Sequence, residues 1–237
     1  MDIIEELRKK DKEITAKIKN DIKTGVDGLY SWQDGIIDVE RYIKSKYKIL
    51  WILKEPVGGG NYNLARGYAE FTMNDMKKLG VARRVMKISH KLLSEKEMAL
   101  EAFKSIAYIN IKKIPGKSST EGGSNDNEIQ EAYNKYQYII DEQITTYNPD
   151  IIICGNTLRF FSQKESILKR PIERKISFNN DPKSIWCYYP LKDKLYINIT
   201  HPGNPKLQKE TNEFWNEYVK NIINAVSDWE KNYKGKE

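Results

Sequence analysis

Cysteine is scarce in this chain: two residues in 237, Cys154 and Cys187. Two thiols build neither a disulfide framework nor a four-thiolate metal site, so the fold has to be held by packing, and a reducing, cytosolic setting fits best. Long apolar runs are missing too; none approaches the roughly 20 residues that span a bilayer. The opening Met1-Asp2-Ile3-Ile4-Glu5-Glu6 lacks the basic-then-apolar order of a signal peptide. A soluble, cytoplasmic protein with no membrane partner is expected. Gly58-Gly59-Gly60-Asn61 is not followed by the Lys-Ser/Thr of a P-loop, and no Gly-x-Gly-x-x-Gly follows a strand, which argues against a nucleotide cradle. Carboxylates do not cluster at the strand ends, where Glu55 stands nearly alone, so a metal-dependent nuclease is disfavoured and no metal or cofactor is expected. Without internal repeats or an interdomain linker, residues 1–237 read as one domain, long enough to bury a sizeable core.

What the chain does have is positive charge. Lys and Arg number 40 against 33 Asp and Glu, a formal net charge of +7. That balance suits a polyanionic partner, and it equally suits lysines coating a solvated surface.

Ile4, Leu7, Ile14, Ile18 and Ile22 recur near multiples of 3.6, which predicts an amphipathic helix that Gly25 and Gly28 end, within an N-terminal helical region over 1–47. A second short helix is expected after Asp38. Four stretches are continuous apolar runs of buried-strand type: Lys48 to Leu53, Ser105 to Ile111, Asp150 to Cys154 and Leu195 to Thr200. Helical text separates them, notably Asn127 to Tyr147 with its Ile129, Tyr133, Tyr136, Ile140, Ile144 and Tyr147 stripe. A long C-terminal amphipathic helix carries Leu207, Phe214, Trp215, Tyr218, Ile222, Val226 and Trp229. Residues 164–190 are the least regular, a variable insertion with a hairpin around 175–178 and 185–188. Strands alternating with helices predict an α/β fold whose parallel sheet is covered on both faces, and such sheets bind ligands beyond the carboxyl ends of their strands.

Those ends carry Lys54-Glu55-Pro56, Asn110-Ile111-Lys112-Lys113, Gly155-Asn156 and His201-Pro202-Gly203-Asn204-Pro205. A carboxylate positions water or stabilises a cation, an imidazole donates to a developing anion, and an amide reads a flat heterocycle edge with donor and acceptor together. The polar loop from Gly116 to Asn127, with Ser118, Ser119 and Thr120, is a candidate for phosphate contact.

In order and spacing these ends resemble the uracil-DNA glycosylase superfamily. Leu53-Lys54-Glu55-Pro56-Val57-Gly58 is similar to its water-activating loop. Tyr108-Ile109-Asn110-Ile111-Lys112-Lys113-Ile114-Pro115 is similar to its base-reading strand end, Asn148-Pro149-Asp150-Ile151-Ile152-Ile153-Cys154-Gly155 to its third strand, and His201-Pro202-Gly203-Asn204-Pro205 to its His-Pro loop. The resemblance spans roughly Lys48 to Leu207. It implies a three-layer α/β/α sandwich around a four-stranded parallel sheet, and hydrolysis of the N-glycosidic bond of a pyrimidine flipped out of DNA. Glu55 would stabilise the sugar cation and orient water, and His201 would hydrogen-bond the departing base. Asn110 would hold the base's far edge, with Phe71 a candidate for stacking. Lys112, Lys117, Ser118, Asn204 and Lys206 would meet DNA, and Leu207 would either wedge into the vacated stack or belong to the core. Position 55 departs from the family's Asp, Asn or Ala, which lengthens the carboxylate by one methylene. Val57 and the glycines replace a Tyr that excludes C5 substituents, implying uracil or a C5-modified pyrimidine as substrate unless Tyr62, Tyr68 or Phe71 refills the space. With two cysteines an iron-sulfur cluster is not expected. The resemblance leaves a second class open, a monomeric DNA-binding module of glycosylase-like fold without catalysis.

Overall fold

The computed structural model describes residues 2–22, 31–56, 63–93, 98–116, 123–161, 168, 175–178 and 186–236. Gly25, Gly28, Val57 to Tyr62, Lys117 to Gly122 and most of 164–190 lie outside the described residues. The protein is α/β, and its described residues form a seven-stranded mixed sheet in the order β1-β3-β2-β4-β7-β6-β5. In chain order the strands are β1 (Gly35–Ile36), β2 (Ile49–Leu53), β3 (Ala107–Asn110), β4 (Ile151–Gly155), β5 (Ile176–Ser177), β6 (Cys187–Pro190) and β7 (Leu195–Ile199). The helices are α1 (Ile3–Asp21), α2 (Val39–Lys44), α3 (Leu64–Glu70), α4 (Met73–Lys78), α5 (Gly80–Leu93), α6 (Ala99–Lys104), α7 (Asp126–Tyr147) and α8 (Glu213–Asn232).

The four apolar runs form β2, β3, β4 and β7, which pair in parallel. The expected four-stranded sheet is nevertheless too small. β1 adds antiparallel to β3, and the hairpin of β5 and β6 adds antiparallel to β7, so the sheet is seven-stranded and mixed. All five residues of β2 are buried because both faces are covered. Ile49, Trp51 and Leu53 join a core with α3, α4, α5, α6 and α8, while Leu50 and Ile52 join a second core with α1, α2 and α7. Each such side chain contributes about 1.5–3 kcal/mol of transfer free energy. The Trp51 indole keeps a partner, donating from Nε1 to Ser89 Oγ at 3.2 Å.

Local chemistry sets the ends. Asp38 caps α2, and Asn125 with Glu128 forms a capping box on α7. Asn148, left-handed at φ 41°, closes α7 just before Pro149 and β4. Asp150 Oδ2 accepts from the Lys48 N–H at 2.8 Å, pinning the start of β2 beside β4. Leu207 does not belong to the C-terminal helix; it ends a separate 3-10 turn, Pro205–Leu207, capped by Asn204. No described helix is long and apolar enough to cross a membrane.

Candidate functional site

Register brings the chemistry to one edge. Leu53 lies opposite Asn110, Cys154 opposite Ile52 and Ile199 opposite Gly155, and strand alternation puts Leu53, Asn110 and Gly155 on the face covered by α5 and α8. His201 follows β7 on that side. A Cβ on Gly155 would come within 2.6 Å of Leu53 Cδ2, 3.0 Å of Pro202 Cδ and 3.4 Å of His201 Cδ2, so only glycine admits the His201-Pro202 turn over the sheet.

Asn110 is 1% exposed and held from below. Its backbone N–H donates to Asp34 Oδ2 at 2.7 Å, and its Nδ2 reaches the same oxygen at 3.3 Å. Asp34 Oδ1 accepts from Lys113 Nζ at 2.7 Å and Gln143 Nε2 at 3.1 Å, and Lys113 also donates to Gln143 Oε1 at 2.7 Å. The Asp34 and Lys113 side chains are both 0% exposed, a fully desolvated ion pair whose charges are met by further hydrogen bonds. Burial draws the Lys113 ammonium below its ordinary pKa while Asp34 opposes the shift. The chain of contacts continues through Tyr147, whose hydroxyl donates to Asp11 Oδ1 at 2.6 Å; burial raises the Asp11 pKa to about 6. Among the described residues Asn110 Oδ1 is buried and has no hydrogen-bond partner.

Glu55, two residues past the end of β2, lies against Gly116 and Gly123. Its Oε1 accepts the Ser124 N–H at 2.7 Å, and its Oε2 pairs with Lys112 Nζ at 3.3 Å. A Cβ on Gly116 would sit 2.4 Å from the carboxyl atoms, and one on Gly123, at φ +70°, 2.9 Å from Oε1. These two glycines let their own backbone approach the carboxylate closely. Lys112 also donates to Ser124 Oγ at 2.5 Å. It ties the loop to Glu55 instead of standing free for phosphate. Beside it, Lys54 and Arg159 share Asp126, and Arg159 also donates to Asn156 Oδ1.

His201 has a defined protonation pattern. The Gly203 N–H donates to its Nδ1 at 2.9 Å, so the neutral ring carries its proton on Nε2. The residue is partly exposed; its burial, with Lys54 and Arg84 nearby, lowers its pKa to about 4. Arg84, 5% exposed on α5, clips the loop from beneath: Nη1 donates to the Pro202 carbonyl at 2.8 Å and Nε to the Leu207 carbonyl at 3.0 Å. No family model and no curated protein matches this chain.

The structure thus brings Glu55 against Lys112 and sets Asn110 and His201 on one face, with Leu53 and Gly155 between. Leu207 is fully buried in the core and cannot serve as a surface wedge. Asn204 uses its side chain on the Lys206 N–H at 2.9 Å as a cap, whereas Lys206 is exposed. Phe71 packs edge-on against Tyr68, ring centroids 5.3 Å apart, at the margin of the core. Val57, Tyr62, Lys117 and Ser118 lie outside the described residues. A cavity of about 510 Å³ opens elsewhere, by α2 and the amino end of β3; the charges lining it pair off, Arg41 with Asp38 and Lys44 with Glu40, and none of the strand-end chemistry faces it. Among the described residues no cluster of three His, Cys, Asp or Glu could hold a metal. The supporting residues Asp34, Lys113, Gln143 and Arg84 were missed. Their signal was a polar residue on an apolar stripe: Gln143 between Ile140 and Ile144, and Arg84 beside Val85 and Ile88.

Proposed function

We propose that the protein is a DNA glycosylase of the uracil-DNA glycosylase type, hydrolysing the N-glycosidic bond of a flipped-out pyrimidine, uracil or a C5-modified base, and leaving an abasic site. The observation that carries this reading is the neutral His201 with Nδ1 occupied by the Gly203 N–H and its Nε2–H left as a donor. When the bond breaks, its electron pair leaves with the base and the sugar becomes an oxocarbenium ion. A neutral donor preorganised at the base carbonyl stabilises that anion without protonating it. Asn110 holds the opposite edge. Three strand spacings, roughly 14 Å between β3 and β7, leave room for one pyrimidine with a side chain reaching in from either side. Glu55 accepts two hydrogen bonds, and the remaining lone pairs of its carboxylate are free to orient the water that adds to the anomeric carbon. The net charge of +7 favours a DNA partner.

Glu55→Gln is expected to lower single-turnover base release by about 100-fold or more while sparing DNA binding. Oligonucleotides carrying uracil, thymine mismatches or bulky cytosine derivatives, cleaved with alkali at abasic sites, measure it. The engagement of both Glu55 oxygens favours one other reading, a DNA-binding module in which Glu55 only holds its loop. Retained DNA binding with no release from any of these oligonucleotides would establish that reading.

A further inference from the structure

We propose that Gly116, Gly123 and Ser124 form a recess cut to the length of a glutamate, which makes Gly116 a positioning residue for the Glu55 carboxylate and bars the shorter aspartate from its place. The inference rests on the glycosylase reading and goes beyond it: the Asp of the resembled family becomes the wrong residue for this site. A Cβ built on Gly116 would stand 2.4 Å from Cδ, Oε1 and Oε2 of Glu55 alike, so Gly116 lies over the flat face of the carboxylate. Gly123 flanks Oε1, where a Cβ would come within 2.9 Å, and its φ of +70° is one that side chains rarely adopt. Neither wall has room for a methyl group. The far end of the recess is polar: Ser124, next along from Gly123, gives its N–H to Oε1 at 2.7 Å, and Lys112 Nζ meets Oε2 at 3.3 Å.

Contacts outside residue 55 fix these walls relative to β2. The Ile111 and Lys112 N–H groups donate to the Leu53 and Lys54 carbonyls at 2.9 Å, so the pairing of β3 with β2 runs on to the residue before Glu55. On the other side Ser124 directly precedes Asn125, the cap of α7, and Lys54 Nζ holds Asp126 Oδ1 at 3.0 Å. Lys112 joins the two sides, donating to Ser124 Oγ at 2.5 Å. With the walls set elsewhere, the length of the side chain at position 55 is what has to match them. Shortening it by one methylene draws the carboxylate back by up to about 1.5 Å, one carbon–carbon bond. That takes the 2.7 Å contact beyond hydrogen-bond range and leaves the Ser124 N–H without its acceptor. A methyl group on Gly116 has the opposite fault. It takes the space of the carboxylate itself, and the end of the Glu55 side chain, the flexible partner, must swing out while the fold stays intact.

The test is a double-variant cycle in the full chain: Glu55→Asp, Gly116→Ala and the two together, assayed by single-turnover release from a uracil or 5-hydroxymethyluracil duplex, with DNA affinity measured in parallel. Glu55→Asp should slow release by about tenfold to 100-fold, the scale of a reacting group misplaced by about an ångström, and Gly116→Ala by about tenfold, both with affinity for DNA unchanged. In the pair the added methyl enters the space that the lost methylene vacates. Gly116→Ala should then cost less than about threefold on top of Glu55→Asp, whereas a glycine with a merely structural role would lower the rate by the same factor in both backgrounds. Full activity of Glu55→Asp, or equal Gly116→Ala factors in the two backgrounds, overturns the proposal. The Ser124 amide proton reads the recess by NMR without catalysis. Protection from exchange in wild type that is lost in Glu55→Asp supports the recess; an unprotected proton in wild type, or equal protection in both, refutes it. Absence of base release by wild type from either duplex, with the Ser124 proton protected in wild type alone, defeats the glycosylase reading while leaving the fit of the recess to glutamate standing.

Discussion

Asn110 and His201 share one face of the sheet, three strands apart, and are held by opposite physical means. Beneath Asn110 lies a fully buried ion pair that gathers hydrogen bonds from β3, α7 and the segment before β1. Beneath His201 lies a single guanidinium holding two backbone carbonyls, and the ring itself is neutral. Charge fixes the first geometry; a loop fold stapled to α5 fixes the second. Losing one partner of the desolvated pair strands a buried charge, whereas losing Arg84 strands two neutral carbonyls, so the two halves of the site differ in how they fail.

The largest effect should come from breaking the charge-held half. Lys113→Met alone strands the Asp34 carboxylate and should cost about 3–5 kcal/mol in denaturant unfolding. Adding Asp34→Asn to it should recover much of that loss; equal instability of the single and double variants would show that the pair's charge is not what matters.

Next comes pH, which touches the His201 half. With a folded pKa of about 4 against an ordinary 6.5, the unfolded chain takes up a proton before the folded one does. Stability is therefore whole above pH 6.5, falls as pH drops through that window, and changes no further from this source below about pH 4; the loss is at most about 3 kcal/mol. Asp11 acts oppositely. Its pKa of about 6 lies above the ordinary value, so its contribution is full below the unfolded carboxylate's range and is lost as pH rises through 6. Stability profiles of His201→Gln and Asp11→Asn should each remove one slope, the first making the pH 7 to 4 decline shallower. Parallel profiles for His201→Gln and wild type would place the ring in a more solvated state than described.

Smallest is Arg84→Met, expected to cost about 1–3 kcal/mol by releasing the Pro202 and Leu207 carbonyls. A loss as large as that of Lys113→Met would erase the distinction between the two halves.

The central strands were legible because burial on both faces makes each a continuous apolar run, as in Ile49–Leu53. β1 was not, since two residues are too few to express a period, whereas the hairpin of β5 and β6 falls where the sequence leads one to expect it, around 175–178 and 185–188. Leu207 looked like the start of the C-terminal stripe, but the Asn204-Pro205 turn intervenes and sends it separately into the core. Glu55, Asn110 and His201 were recognisable because their side chains carry chemistry at strand ends. Their supports were not. Lys113 and Asp34 lie 79 positions apart, and nothing local in either marks the other as its partner. Lys112, which reads as a phosphate contact, pairs in the structure with Glu55 and Ser124, acceptors 57 and 12 positions away that nothing beside it in the chain announces.

The outermost strands have a consequence of their own. A parallel sheet ending on β3 and β7 would present two open rows of amides and carbonyls to any passing chain. Instead β1 closes one border and the antiparallel hairpin the other, and the strands left outermost are two residues long. Too short to template another strand, they guard the protein against edge-to-edge aggregation.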